Sequence, residues 1–570
     1  MKIPVSPRRL RQRGSVMIMF TLSLPVLLGL IGIAVDGTIL YVVEAKISAA
    51  VDGAALGAGR LLGTNANTTE IAGEFIKANF CGYECNTGSS GGPTGVWGSY
   101  NLTPTINFTN NLGTYTITIN ATVQVPLLFL RTVPKLVPQT VATVGANATA
   151  TRRAVRTIMV LDRSGSMTGT PFTWMQSGAE SFAANFLPGT DEVGLVMLEG
   201  SANVGYPTTY PLVYPVKGNV SGGPDTNFNT SSDPPTGPLS TALANMAAGG
   251  GTGTAEALSL AYVELQQAHT RDLAANGVDS MLNSILLFTD GVPDSIAVSP
   301  NATQVWNINT NSWLTGITTH FASGSGCTYK STSNLADTMM GTIIAFGSGP
   351  PWDTPYGLFL LGGYYNSSSN TSLSDWEASP SNGQVGSGDQ VQSNPTAALA
   401  GCNSLGKNGG NSASNYTLSD LSQIPDYTIY GVSTGGTNYQ YSTLNLSNGT
   451  SSSPYSAGSY NSSQINSNCG SNGSTCGTNV AIAAWNAVDN VGTMIRSQTA
   501  MNQITIYSIG YSGDGGVDAG LLNRLANTPQ AQPSGTVSGQ SVGQYVQVDS
   551  ADGLASAFQL IASYILHLSH

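Results

Sequence analysis

The chain has 570 residues, of which 41% are hydrophobic and only 9% charged, against roughly 25% charged in an average soluble protein. That balance excludes a disordered polyelectrolyte, because disorder usually needs high net charge and few apolar groups. A net charge of −11 with four histidines and six cysteines disfavours nucleic-acid binding, which needs cations for phosphates, and leaves little material for zinc.

Residues 1–14 read as a basic leader: Lys2, Arg8, Arg9, Arg11 and Arg13 occur before any acid. Val16–Val35 is an uncharged run of 20 residues, long enough at 1.5 Å per residue to span roughly 30 Å of hydrocarbon. A cleaved secretory signal has the same basic start, but its apolar part is about 7–15 residues and ends at a small-residue cleavage site. Here the helical spacing continues through Ile39, Leu40, Val43 and Ile47, so a retained single-pass anchor is the better reading. The positive-inside rule places the leader in the cytoplasm. The chain is then expected in the inner (cytoplasmic) membrane, with its bulk periplasmic or extracellular. Ala49–Ala58 is a small-residue helix that permits close packing and completes a region drawn at 15–63.

A small β-containing unit is drawn at 64–150, turn-rich over 64–96. Tyr115, Ile117, Ile119, Ala121, Val123 and Val125 alternate with polar residues, the period of a half-buried strand. Ile106 and Phe108 belong to its partner, joined through Asn110-Asn111-Leu112-Gly113, and Val141–Thr149 supplies a further strand.

From residue 151 strands and helices alternate. Strands are predicted at Thr157–Leu161, Val193–Leu198, Ser284–Phe288 and Ile504–Ile509. Helices are predicted at Pro171–Phe186, Leu239–Ala248, Ala255–Gln267, Val480–Arg496 and Leu554–Leu566. This pattern implies an α/β fold with a doubly wound, mostly parallel sheet, its ligand site at the carboxyl ends of the strands. The domain is drawn as 151–299 and 479–570, interrupted by a foreign insertion at 300–478. That insertion has nine charged residues in 179 yet four of the seven tryptophans, Trp306, Trp313, Trp352 and Trp376. Gly/Ser linkers rarely hold such residues, so an ordered, loop- and strand-rich insertion is expected. Its tyrosines suit a binding surface as well as they suit a neutral polar decoration. Trp485 and Phe558 lie at apolar helical positions and are expected in the core. The six cysteines fall as Cys81/Cys85, Cys327/Cys402 and Cys469/Cys476; local disulfides are favoured, although the sequence permits 15 connectivities.

One motif carries chemistry. Asp162, Ser164 and Ser166 follow a strand end on a turn opened by Gly165, so a carboxylate and two hydroxyls converge on one point. These hard oxygen donors suit Mg²⁺, Ca²⁺ or Mn²⁺ rather than zinc or copper. Gly250-Gly251-Thr252-Gly253-Thr254 brings a hydroxyl to the same sheet edge, with Thr252 and Thr254 as rivals, and Thr289-Asp290-Gly291 brings a second carboxylate. Asp162 and Ser164 acting only as turn caps is the ordinary alternative, but it accounts for one motif of three.

These residues resemble the metal-ion-dependent adhesion site of von Willebrand factor type A domains. The resemblance implies hydroxyl ligands from Ser164, Ser166 and Thr252, with Asp162 and Asp290 acting directly or through water. A carboxylate from a partner would complete the shell. A second resemblance covers the N-terminal region. The basic leader, the apolar helix and Asp52-Gly53-Ala54-Ala55-Leu56 are similar to TadG-like proteins of tight-adherence (Flp) pilus assembly, as is the closing segment with Asp549-Ser550-Ala551-Asp552. Pilin-like subunits of such systems place Glu fifth after a Gly, whereas Gly14 is followed there by Met19, which speaks against pilin-like processing.

The two resemblances together imply a membrane-anchored, metal-dependent interaction component of Tad/Flp pilus assembly or anchoring, with protein partners. The alternative is a surface adhesin that binds host material, substratum or matrix through the A-type domain and its insertion. An enzyme is not expected. The A-type domains of metal chelatases act with an ATPase, and this chain has no phosphate loop. His269, His320, His567 and His570 form no nucleophile–base pattern.

Overall fold

A computed structural model of the chain describes residues 13–59, 61–63, 67–81, 86–87, 93–97, 100–129, 140–200, 202–207, 223–232, 235–249, 251–298, 304–310, 312–316, 338–345, 357–365, 405–407, 415–418, 425–435, 474–513, 517–531 and 535–568. The leader up to residue 12 lies outside the described residues, as do the side chains of all six cysteines and with them the expected local disulfides. The chain divides into two compact units, Met1–Arg152 and Arg153–Ser569.

The first unit is built on one long helix, α1 (Arg13–Gly59), which runs through Pro25 and is long and apolar enough to cross a membrane. Met17, Phe20, Leu22, Val26 and Leu30 are exposed along its first half. Beyond residue 42 one face turns inward: Val43, Ile47, Ala50, Val51, Ala54 and Ala58 are buried at the three- and four-residue spacing of a helical stripe.

A second helix, α2 (Thr68–Ile76), lies where only turns were expected. Its signal was present in the sequence, since Asn67 and Glu70 form a reciprocal cap. The Asn67 side chain accepts from the Glu70 amide and donates to its carboxylate, both at 3.2 Å.

Five strands complete this unit in the order β1 (Asn86–Thr87), β2 (Pro93–Trp97), β3 (Tyr100–Asn111), β4 (Thr114–Pro126) and β5 (Val141–Arg153). The expected hairpin forms, with Ile106 opposite Ile119 and Phe108 opposite Ile117. Its two-residue turn has both φ values positive, Leu112 at 50° and Gly113 at 84°, the twist that suits antiparallel strands. Ile117, Ile119, Ala121, Val123 and Val125 point inward and share a core with α1.

The second unit is a six-stranded sheet between helical layers. In chain order its strands are β6 (Val155–Asp162), β7 (Glu192–Leu198), β8 (Ala202–Tyr206), β11 (Leu282–Thr289), β19 (Ile504–Tyr511) and β20 (Tyr545–Val548). Two short strands, β9 (Ser231–Ser232) and β10 (Pro235–Thr236), pair outside it. The spatial order is β20-β19-β11-β6-β7-β8, parallel except for the β7–β8 pair. The first strand is therefore central, and the chain winds outward on one side before returning to the other.

Side-chain alternation along the strands feeds two cores. Ile158, Val160, Ile285 and Leu287 face α5 (Thr254–Asn276), α6 (Ser474–Ser497) and α7 (Ala519–Leu525). Met159, Leu161, Leu286 and Phe288 face α3 (Thr170–Ala183), α4 (Pro238–Ala244) and α8 (Leu554–Leu568). Trp485 and Phe558 are core residues, 3% and 0% exposed. This is a doubly wound α/β architecture. Helix α4 ends at Ala244, before the expected Ala248, because the following turn is drawn toward β6, where the Gly249 amide donates to the Arg163 carbonyl at 2.6 Å.

Within 300–478 the described segments include strands, as expected. A hairpin joins β13 (Gln304–Asn307) to β14 (Ser312–Thr315). A second sheet runs in the order β12 (Ser295–Val298), β15 (Thr338–Ala345), β16 (Gly357–Tyr365), β18 (Asn415–Leu418) and β17 (Leu405–Lys407). Two stretches join the domain core itself: Ile308, Ile429, Tyr430 and Val432 pack with residues of α5 and α6.

Candidate metal centre

In an open α/β sheet, ligands collect at the carboxyl ends of the strands where the winding reverses. Here that point lies between β6 and β11, and the register sets Leu161 opposite Phe288. The next residues along each strand are Asp162 and Thr289, and Asp290 follows at once. Both aspartates are fully buried, at 0% and 1% exposure.

Asp162 is held by donors on both carboxylate oxygens. Its Oδ1 accepts the Ser164 amide at 2.8 Å, and its Oδ2 accepts the Thr289 hydroxyl at 2.5 Å. The chain then turns through Gly165, and Met167, fully buried, anchors the turn in the core. The Ser166 hydroxyl donates to Asp290 Oδ1 at 2.9 Å, and the Ser164 hydroxyl lies 3.0 Å from that of Ser166. Asp162, Ser164, Ser166 and Asp290 are thus brought together. Ser166 is exposed, so the cluster opens to solvent there.

Thr252 arrives from the turn before α5. Its hydroxyl lies 3.2 Å from where a Cβ on Gly291 would stand, beside Asp290. Its amide donates to Asp294 Oδ1 at 2.6 Å, and the Asp294 amide returns a bond to the Thr252 carbonyl at 3.2 Å. Gly253 is required by a close approach, since a Cβ there would meet the Glu199 carbonyl oxygen at 2.8 Å. Thr254 is buried with an unpartnered hydroxyl. It lines a cavity of about 10 Å³ with Pro293, Asp518 and Leu522.

Sequence reasoning missed four residues that hold this arrangement: Arg163, Glu199, Thr289 and Asp294. Arg163 is fully buried, and its guanidinium pairs with the Glu199 carboxylate at 2.8 Å. The backbones of the same two residues hold the Thr252 turn, Arg163 through Gly249 and Glu199 through Gly253. Two of them carried a readable signal: Thr289 stands in the Thr-Asp-Gly motif itself, and Asp294 is an acid shortly after it. Nothing in the spacing links Arg163 to Glu199.

Among the described residues, no basic side chain offsets the charge of Asp162 and Asp290. Burial pushes Asp162 upward against the hydrogen bonds from Thr289 and Ser164. Asp290 is pushed up by burial and then by the charge of Asp162, against donors from Ser166 and Ser164. Burial raises Asp294 to about 6, and raises Glu199 to about 8 in spite of Arg163. Asp290 Oδ2 is buried with no hydrogen-bond partner. An orphaned carboxylate oxygen, a second buried carboxylate and two or three hydroxyls fit a hard divalent cation, which would remove the like-charge repulsion. Among the described residues no three His, Cys, Asp or Glu side chains are grouped to hold a metal, so any site here draws on the serine and threonine hydroxyls.

Comparison with known proteins bears on both units. Residues 14–61 match the family described as "Putative Flp pilus-assembly TadE/G-like", so the helical start of the chain is similar to that family. No curated protein matches the chain. Among solved structures, the pilus adhesin SpaC from Lactobacillus rhamnosus GG is 14% identical with a TM-score of 0.31, covering 85% of this chain and 35% of that one. A variant of the PilB minor pilin from Streptococcus sanguinis is 12% identical with a TM-score of 0.30, covering 82% and 78%. The vWF domain of the type V pili tip protein Mfa5 from Porphyromonas gingivalis is 13% identical with a TM-score of 0.28, covering 74% and 97%. Likenesses this distant add nothing to what the sheet order and side chains already establish.

Proposed function

We propose that the chain is a membrane-anchored interaction component of Tad/Flp pilus assembly whose A-type domain engages partners through a bound divalent cation. Ser164, Ser166 and Thr252 would supply hydroxyl ligands, with Asp162 and Asp290 acting directly or through water. Mg²⁺, Ca²⁺ and Mn²⁺ all suit this donor set. The observation that carries the reading is the buried, unpartnered Oδ2 of Asp290 beside Asp162 at the switch point of the sheet. When bound, the cation supplies positive charge and a coordination position for an acidic group. The protein's own part is to fix the donors: Thr289 orients Asp162, Ser166 orients Asp290, and Asp294 fixes the turn that carries Thr252.

The Tad-like start supports the pilus context, and α1 supports an anchor with the leader in the cytoplasm and the chain after Asp36 outside the inner membrane. The test is recovery of partners from detergent-solubilised envelopes by the tagged full chain, with proteins identified by mass spectrometry. Pilus-assembly proteins are expected in Mg²⁺, and not after chelation or with Asp162→Ala. Equal recovery under all three conditions would overturn the metal-dependent reading.

A further inference from the structure

Asp36 is the first acid in the chain and directly follows the apolar run Val16–Val35. It is 2% exposed. Its carboxylate accepts the backbone amide of Leu128 on Oδ1 at 2.9 Å and that of Phe129 on Oδ2 at 3.1 Å. One helical turn earlier, Gly32 leaves room for the same segment, since a Cβ there would stand 2.9 Å from the Cβ of Phe129. The continuation of β4 is therefore pinned against α1 at two successive turns, Gly32 and Asp36.

The side chains of that continuation divide. Leu127 is buried, whereas Leu128 and Phe129 are 47% and 45% exposed, and Leu130 follows them in sequence. Gly32 stands three residues inside the end of the apolar run, about 4.5 Å along the helix axis. Its neighbours Leu30, Ile31 and Ile33 are each more than half exposed. Leu128 and Phe129 thus extend the apolar surface of α1 sideways at the level where that surface ends. Continuity with the spanning helix identifies the occupant as lipid rather than a soluble partner.

We propose that Leu128 and Phe129 enter the edge of the bilayer beside α1, and that Asp36 is the positioning residue that sets their depth. Backbone amides near hydrocarbon need partners, and a carboxylate there is tolerated when its oxygens are satisfied. Asp36 meets both needs in one contact. The inference rests on α1 being a membrane anchor, as in the reading above.

The test uses the full chain in phosphatidylethanolamine/phosphatidylglycerol nanodiscs, with photoreactive p-benzoylphenylalanine replacing Val26, Phe129 or Leu112 in turn. Lipid adducts, read by mass, are expected at 26 and 129 but not at 112, the turn at the opposite end of β4. Adducts at 26 without adducts at 129 would overturn the inference and leave the anchor intact. Absence of adducts at 26 would overturn the anchor and the inference with it. With Asp36→Ala, the adduct yield at 129 should fall several-fold while that at 26 holds. An unchanged yield at 129 would overturn the role of Asp36.

Discussion

Glu264 on α5 is buried in the second unit, and burial pushes its carboxyl from 4.5 up to about 8. The folded state therefore keeps a proton that the unfolded chain releases. The stability this contributes is complete below about pH 4.5 and is lost as the pH climbs to about 8. Glu264→Gln keeps the shape and cannot ionise. Its stability relative to wild type should grow by about 1 kcal/mol per pH unit between pH 5 and 8 and then level off, measured by urea unfolding. A gap independent of pH would contradict this.

Arg163 and Glu199 give a second test at the same scale. Glu199→Gln leaves the buried Arg163 guanidinium, which cannot give up its charge, without its counter-charge and should cost on the order of 3 kcal/mol. Arg163→Ala should cost less, because the acid left behind is already favoured in its neutral form by burial. Equal losses would show that the charge pair is not what holds the Thr252 turn. That Asp162, Ser164, Ser166, Thr252 and Asp290 lie along one sheet edge was legible in the sequence, because polar residues at strand ends, in glycine-bearing turns, announce a shared edge. Arg163 and Glu199 were not, since their pairing exists only once β6 and β7 lie side by side.

At the scale of elements, strands and hairpins were legible wherever one face is buried and the other is wet. Residues 114–126 alternate for that reason, and the turn at Leu112-Gly113 followed from its spacing. Helix α2 was overlooked because its length and small residues produce little periodicity, although Asn67 and Glu70 marked its start. The 300–478 segment was read by composition, which does not distinguish residues that dock from those that do not. Ile308 and Tyr430 are joined by a backbone hydrogen bond of 3.2 Å, and Asn486 and Asn490 of α6 donate to the carbonyls of Thr434, Ser433 and Gly435. Replacing 436–473 with a short Gly/Ser linker should therefore leave the domain folded. Removing 425–435 strips Ile429, Tyr430 and Val432 from the core and should cost several kcal/mol, since each buried side chain of that size contributes about 1.5–3. Circular dichroism and thermal melts distinguish the two. Equal tolerance would show that the docked stretch is dispensable.

For the whole molecule, the alternation of strands and helices made a parallel, doubly wound sheet legible. The central place of β6 was not legible, because a right-handed crossover can add a strand on either side. That central place is what brings Asp162 beside Asp290. The anchor is open to a direct check: a membrane-impermeant label attached at residue 64 should react in spheroplasts, and one at residue 6 should not. The reverse pattern would invert the orientation. The central claim is that two buried aspartates and their hydroxyl neighbours hold one divalent cation, and Mn²⁺ tests it most directly, because the six-line electron paramagnetic resonance signal of the free ion disappears on binding. Titrated into the full chain in nanodiscs, Mn²⁺ should lose that signal up to one ion per chain, be displaced by Mg²⁺, and fail to bind when Ser164→Ala and Asp290→Ala are combined. A free signal that rises in proportion from the first addition, or binding unchanged in the double variant, would contradict the account.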